Sequence, residues 1–490
     1  MGNNTSSNED VHDYDDFDED LTILIPTLEL IIAQLDQSDD ILVNLLADLQ
    51  YKQKLEERKR KRTPETRREK RKTFSEITSK LTEQHFRRMF RLPRASFYNL
   101  CTKIENNIGD QLFKSERKVR PTKQTQEATN FRGGEISGEL RIAIYLRMMA
   151  GASYLDIFMI YDVHNGRIYN SFEKVVGWMN DTFSYPFVKA LRNEDHRFFE
   201  ELSEAFSGDS GGVYTGCIGA IDGLALRIKR PSVTKELPNP GGYYCRKGFF
   251  ALNVQSMCDR RKRILWMSSR HIGSCHDSRA FLDTGLYELL VEKKDFLKKH
   301  GFFIAGDSAY NMESFLLIPY DDAKSGSVED AYNFWQSNSR IRIECTFGEL
   351  IMRFGIFWRT LRFDIKQAGD IVNAAGLLHN FILEERELAD DDTPDSDKTL
   401  FQSFSQTTMN YLDEPQADRN LISSPTEPAI AIVSDNNEPS SGGRPTTAAL
   451  QSKQEGALLR DILKLHLEIH NKKRPKQKNF KYNDYGMVYM

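Results

Sequence analysis

Asp222, Asp307 and Glu344 are carboxylates set in apolar runs, where an ordinary surface acid would not be placed. Asp222 closes Val213-Tyr-Thr-Gly-Cys-Ile-Gly-Ala-Ile221 and precedes Gly223, while Asp307 closes Gly301-Phe-Phe-Ile-Ala-Gly306 and precedes Ser-Ala-Tyr310. A charge at the end of a buried strand needs a partner. Glu344 stands in Arg340-Ile-Arg-Ile-Glu-Cys-Thr-Phe-Gly348. Glu344, Phe347, Gly348 and Ile351 fall at i, i+3, i+4 and i+7 of a helix, a spacing that aims Glu344 inward. Such a set suggests metal-dependent phosphodiester chemistry. Two divalent ions about 3.5–4 Å apart activate the attacking oxygen and neutralise the leaving one, and three or four carboxylates can hold them. Oxygen donors suit Mg2+ or Mn2+. The chain has no phosphate-cradling glycine loop with its lysine and no Gly-x-Ser-x-Gly elbow, so neither an NTPase nor a serine hydrolase has support.

These acids depend on the elements that carry them. Residues 212–385 alternate strand and helix patterns. The run to Ile221 reads as a strand ended by Asp222. Phe249-Phe-Ala-Leu-Asn-Val-Gln-Ser-Met-Cys258 and Arg263-Ile-Leu-Trp-Met-Ser-Ser-Arg270 read as two more, joined as a hairpin by Asp259-Arg-Arg-Lys262. Ser278 to Lys294 reads as a helix and Gly301 to Ala305 as a strand. Hairpin strands, a helical crossover to a strand beside the first, and a later carboxylate-bearing helix follow the order of a ribonuclease H-like fold. That order brings Asp222 and Asp307 to neighbouring strand ends, where sites form in such sheets, and lets Glu344 close the site. The expected class is α/β: a ribonuclease H-like mixed-sheet catalytic domain, an all-α N-terminal helix-turn-helix-like domain, and disordered acidic and basic tails.

Residues 81–200 read as helical, with Phe86, Phe90, Leu92, Phe97 and Leu100 as a core stripe. A helix through Leu140, Ala143, Ile144 and Met148 stops at Gly151. Ser153 with Asp156 reads as a capping box for a second helix, and a third begins near Gly166. A plain helical bundle and a DNA-reading helix-turn-helix both fit this pattern. In the second case the third helix presents Arg167, Asn170 and Lys174.

The formal charge of −4 hides segregation. Residues 1–51 carry thirteen acids and no Lys or Arg, and their apolar positions fit acidic amphipathic helices in a partly disordered segment. The basic linker, residues 52–80, begins with twelve Lys or Arg against four Glu over 52–72. The density of Arg58-Lys-Arg-Lys-Arg62 and Arg67-Arg-Glu-Lys-Arg-Lys72 favours nuclear import or phosphate contact over a merely solvated surface. Residues 386–450 read as a disordered linker. In 451–490, Leu458, Ile462, Leu465 and Ile469 mark an amphipathic helix ahead of a basic tail. Six cysteines without a Cys-x-x-Cys pair fit a reducing compartment and no structural zinc. No stretch reaches the roughly 18–20 apolar residues that span a bilayer, so the expectation is a soluble nuclear protein with no membrane partner.

The words around the acids add a resemblance. In order they are Gly219-Ala-Ile-Asp-Gly223, Tyr244-Cys-Arg-Lys-Gly-Phe-Phe-Ala-Leu-Asn-Val-Gln255, Gly273-Ser-Cys-His-Asp-Ser278, Gly306-Asp-Ser-Ala-Tyr310, Glu344-Cys-Thr-Phe-Gly348 with Arg353-Phe354, and Leu378-His-Asn-Phe381. From about residue 86 to 383 the chain resembles the Harbinger (PIF) class of DDE transposases and their domesticated relatives. The resemblance puts Asp222, Asp307 and Glu344 on the family's metal-binding triad and residues 137–178 where relatives carry a helix-turn-helix. It implies two Mg2+ or Mn2+ ions, cleavage of DNA at element ends, and joining of the 3'-hydroxyl to target DNA. It also implies a homo-oligomer on DNA and a Myb-like DNA-binding partner encoded by the same element. A domesticated DNA-binding or recruitment protein, and a nuclease without strand transfer, are the alternatives.

Further residues have two readings each. His276 and Asp277 stand near the metals or a phosphate, or Asp277 caps a helix. Arg246 and Lys247, with Tyr244, hold DNA or anchor a loop. Arg260, Arg261 and Lys262 contact the DNA backbone or form a solvated hairpin tip. His379 and Asn380 read as structural.

Overall fold

The computed structural model describes residues 49–50, 72–109, 136–388 except 235, 236 and 238, 447–475, and the backbone of 481–482 and 488–489. The chain divides into two units, 1–70 with 123–134 and 71–122 with 135–490. Of the first, Leu49 and Gln50 are described, as helix. The acidic segment to residue 48, the basic tract 52–71, the linker over 389–446 and the tail basic residues past 475 lie outside the described residues.

The second unit begins with helices α1 (Phe74–Thr78), α2 (Glu83–Phe90), α3 (Arg94–Ile108), α4 (Gly138–Met149), α5 (Tyr154–Tyr161) and α6 (Asn165–Thr182). Their starts follow capping chemistry: Ser137 accepts from the Leu140 N–H, and Ser153 and Asp156 form a reciprocal capping box. Between α5 and α6 the chain turns at Asp162, whose φ of 49° is left-handed. Phe86, Phe90 and Phe97 of the expected stripe are fully buried, and Phe74 stacks on Phe97 at 4.6 Å. Two short helices, α7 (Pro186–Arg192) and α8 (His196–Ser207), lead into the sheet.

That sheet holds β1 (Cys217–Arg227), β2 (Ala251–Cys258), β3 (Ile264–Ile272), β4 (Phe303–Ala305) and β5 (Leu316–Leu317) in the order β3-β2-β1-β4-β5. β1, β2 and β3 are antiparallel; β4 runs parallel to β1, and β5 to β4. The crossover from β3 to β4 is three helices rather than one: α9 (Asp277–Leu282), α10 (Gly285–Glu292) and α11 (Lys294–His300). Thr284 ends the first by starting the second, its hydroxyl accepting from the Tyr287 N–H. The long helices α12 (Val328–Arg353) and α13 (Ile365–Leu388) follow, then α14 (Thr447–Ile469).

Both faces of the sheet are covered. One core joins α1–α6 and α13 to Leu226, Leu252, Val254, Ile264 and Met267, so the N-terminal helices share a core with the sheet. A second places α7, α8 and the crossover helices on Ile218, Ile221, Met257 and Leu265. His379 is wholly buried between Arg353 Nη1 at 2.8 Å and the Lys262 carbonyl at 3.0 Å, and burial depresses its pKa to about 3. Asn380 brackets Ile264, accepting from its N–H and donating to its carbonyl. Both residues therefore brace α13 against the start of β3.

Two further expectations need correction. Asp222 does not end its strand, because β1 continues to Arg227 along β2 after its pairing with β4 stops at Ala220. On α14 the stripe Leu458, Ile462, Leu465, Ile469 faces solvent, and the buried positions are Ser452, Gly456, Leu463 and Leu467. The helix docks through Leu463 and Leu467 at one end and small residues at the other, where a Cβ at Gly456 would lie 2.7 Å from the Glu313 carbonyl carbon. No described helix is long and apolar enough to cross a membrane, and all six cysteines are free.

Candidate active site

The sheet topology creates a notch beside Asp222. β2 still pairs there, with Ser256 opposite Asp222. On the other side β4 has ended at Ala305, and the chain leaving it turns at Asp307, whose Oδ1 accepts from the Ala309 N–H at 2.9 Å. Across the notch runs α12, seated by Ile343 and Phe347 on Ala220 and Cys258.

The electrostatics show how closely these acids are gathered. Burial, with the charges of Asp307 and Asp277 behind it, raises the Asp222 carboxyl from 3.8 to about 7 against the opposing Gly223 N–H and Arg340. Burial also raises Asp307, with Asp277 adding repulsion and the Ala309 N–H, Arg340 and Arg246 opposing it. Like charges in a partly dehydrated notch disfavour ionisation unless a cation joins them.

The cation present is Arg340. Its Nη1 lies 2.5 Å from Glu344 Oε1, one turn along α12, and 3.7 Å from Asp222 Oδ2. Glu344 is thus not the inward-facing residue its spacing suggested. The buried face of α12 runs through Ile343, Phe347 and Leu350, and Glu344 sits at its rim with its side chain 43% exposed. Among the described residues, no group of three or more His, Cys, Asp or Glu side chains converges to hold a metal as it stands. The donor chemistry still suits a hard divalent cation: the acids offer only oxygens, they repel one another, and a guanidinium already stands in among them.

Asp277 belongs to this cluster. It is the first residue of α9, following His276 at the cap, and its carboxylate does not cap the helix. Oδ1 instead accepts from Asn253 Nδ2 at 2.9 Å and Gln255 Nε2 at 2.8 Å. Gln255 lies directly across from Gly223, and a Cβ there would collide with Asp277 Oδ1 and lie 2.6 Å from Gln255 Nε2. Asp277 Oδ1 can pack against β1 next to Asp222 because residue 223 has no side chain. His276 is exposed, and no hydrogen bond of its side chain caps the helix.

The residues expected to meet DNA fall into three groups. Arg246 and Lys247 are exposed on the turn closed by the Gly248 N–H on the Cys245 carbonyl, with Arg246 near enough to lower Asp307. The hairpin-tip cations are paired within the fold: Arg260 bidentately with Asp209 at 2.7 and 2.6 Å, Arg261 with Glu387 at 3.4 Å, and Lys262 with Glu349. Arg167, Asn170 and Lys174 lie on α6, whose opposite face is buried through Ile168, Phe172 and Val175; Asn170 is exposed and the other two half-buried.

Residues 221–380, which contain all four acids, match the family model described as DDE superfamily endonuclease. Over 193 residues the chain is 27% identical to the "Putative nuclease HARBI1" of Xenopus laevis, a match covering 39% of this chain and 52% of that protein. The chain therefore spans about half the length of that relative. Over these residues the chain is similar to DDE superfamily endonucleases and to that Harbinger-type nuclease. No solved structure matches the chain.

Proposed function

We propose that this chain is a DNA-cutting enzyme in which Asp222, Asp277, Asp307 and Glu344 hold two divalent ions. The observation that carries the reading is the Arg340 guanidinium paired with both Asp222 and Glu344, at a carboxylate that burial and the charges of Asp307 and Asp277 raise. The sheet order β3-β2-β1-β4-β5, with parallel β1 and β4, supports a ribonuclease H-like domain over residues 212–385. Bound there, Mg2+ or Mn2+ would activate the attacking oxygen and neutralise the leaving one.

The protein's own groups do the rest. Asp222 and Asp307 supply the central oxygens from β1 and the turn after β4. Glu344 joins them once its pairing with Arg340 is released, and Arg340 is then free to face a phosphate. Arg246 and Lys247, on the exposed turn near Asp307, hold the DNA backbone. The helices over 81–200 act as a helix-turn-helix-like DNA-binding domain, with α6 presenting Arg167, Asn170 and Lys174 to DNA. The reaction is transposition in the nucleus: cleavage at element ends, then attack of the freed 3'-hydroxyl on target DNA by a homo-oligomer assisted by a Myb-like DNA-binding protein.

Incubation of the purified chain with labelled end-sequence duplex and Mg2+ or Mn2+ tests this. The expected products are metal-dependent nicks, joined strands, and loss of both in Asp307→Asn. Nicks without joined products reduce the activity to a nuclease. Binding without cleavage under either metal overturns the enzyme reading in favour of a DNA-binding or recruitment protein.

A further inference from the structure

The carboxylates are not the end of the polar chain in the notch. β2 runs Ala-Leu-Asn-Val-Gln-Ser-Met-Cys and is buried on both faces, yet it carries Asn253 and Gln255 on the side of Asp277. Gln255 is fully buried, Asn253 is 6% exposed and Tyr310 is 3% exposed. Buried amides are costly unless every group is satisfied. Here both are satisfied, in one direction. The Tyr310 hydroxyl donates to Gln255 Oε1 at 2.6 Å, and Gln255 Nε2 donates to Asp277 Oδ1 and to Asn253 Oδ1 at 2.8 Å each. Asn253 Nδ2 in turn donates to Asp277 Oδ1 and to the Cys275 carbonyl, both at 2.9 Å.

The polarity of this relay is set at Asp277. An acceptor-only carboxylate takes the NH2 end of the Gln255 amide and leaves Oε1 to accept from the Tyr310 hydroxyl; the flipped amide would set two acceptors against each other. Tyr310 is also tied to the second strand-end acid, since its N–H donates to the Asp307 carbonyl at 3.3 Å. One pair of side chains thus links the turn bearing Asp307 to the helix start bearing Asp277, beneath Gly223. One oxygen of Asp277 is saturated by two N–H donors.

We infer, resting on the metal reading proposed above, that Gln255 and Tyr310 are positioning residues. They lock the orientation of Asp277 so that its second oxygen, together with Asp222 and Asp307, is presented to a divalent cation. Neither touches the cation. Hydrogen-bonding partners that orient metal ligands typically govern affinity by about 10–100-fold.

The test is Mn2+ titration of the full chain, following the free-ion electron paramagnetic resonance signal, with no DNA present. Tyr310→Phe removes one oxygen and keeps the ring packed on Phe281, and Gln255→Met removes the amide at similar volume. Expected are a several-fold loss of Mn2+ affinity in Tyr310→Phe and about tenfold or more in Gln255→Met. Combining Tyr310→Phe with Asp277→Asn should cost no more than Asp277→Asn alone, because the phenol acts through that carboxylate. A purely structural role would instead lower the melting temperature equally in both backgrounds and leave affinity unchanged. If the wild type binds Mn2+, Asp222→Asn abolishes binding, and both relay variants match the wild type, the inference fails while the metal reading stands. If the wild type binds no Mn2+, both fall.

Discussion

Arg340 and Glu344 form an ion pair at 2.5 Å on one face of α12, and the same guanidinium reaches Asp222 at 3.7 Å. The arginine thus neutralises two acids that the proposed mechanism assigns to metal. Replacing it should weaken the metal-free protein and make added metal more valuable. Arg340→Gln should lose about 1 kcal/mol, the scale of a partly exposed pair, and gain more than the wild type in melting temperature on adding Mn2+. Scanning fluorimetry with and without the ion measures both; equal gains in the two proteins would count against the counter-cation role.

Asp222 makes stability depend on pH. Its folded pKa of about 7 lies above 3.8, so between these values the folded state binds more protons than the unfolded one. Stability is therefore fully retained below about pH 4 and falls as pH rises through about 7. Asp222→Asn removes the fall. Urea denaturation at pH 8 should find the variant more stable than the metal-free wild type by up to about 4 kcal/mol, with little difference at pH 4. A wild type that gains stability across this window relative to the variant would refute the assignment.

Gly223 should tolerate no side chain. A Cβ would collide with Asp277 Oδ1 and crowd Gln255 Nε2 at 2.6 Å in a buried network. Gly223→Ala should cost about 1–3 kcal/mol, the range for overpacking, and reduce nicking more than the stability loss explains. Chemical denaturation and single-turnover cleavage on the same preparation would show it.

The basic residues should separate by function. Arg246 and Lys247 are exposed near the acids, whereas Arg260 is committed to Asp209. Removing Arg246 and Lys247 together should lower the slope of log affinity for DNA against log salt by about two, one per phosphate contact. Arg260→Ala should lower stability by about 1 kcal/mol and leave that slope alone. Fluorescence anisotropy across a salt series would reveal an exchange of the two effects.

Much of this was legible in residue order. The apolar runs before Asp222 and Asp307 marked strands that do lie side by side, and the turn Asp259 to Lys262 joins β2 to β3. Periodicity failed where contact, not hydrophobicity, decides orientation. Glu344 shares a spacing with Phe347 and Ile351 but sits at the rim, and α14 docks through Ser452, Gly456, Leu463 and Leu467 while Leu458, Ile462, Leu465 and Ile469 stay in solvent. β1 outlasts the apolar run that marks it because strand length depends on partners: β2 continues past Asp222 and β4 does not. Asn253 and Gln255 alternate with Leu252, Val254 and Ser256, a pattern that reads as a half-exposed strand. Only burial on both faces reveals them as polar groups with an inward task.

In the proposed mechanism these carboxylates hold divalent ions. Crystals of the full chain soaked in Mn2+ and measured at the manganese absorption edge address it directly. Anomalous density bounded by oxygens of Asp222 and Asp307, with Arg340 withdrawn from Asp222, is the predicted result. Arg340 still bridging Asp222 and Glu344, with no anomalous density at the acids under saturating Mn2+, would contradict it.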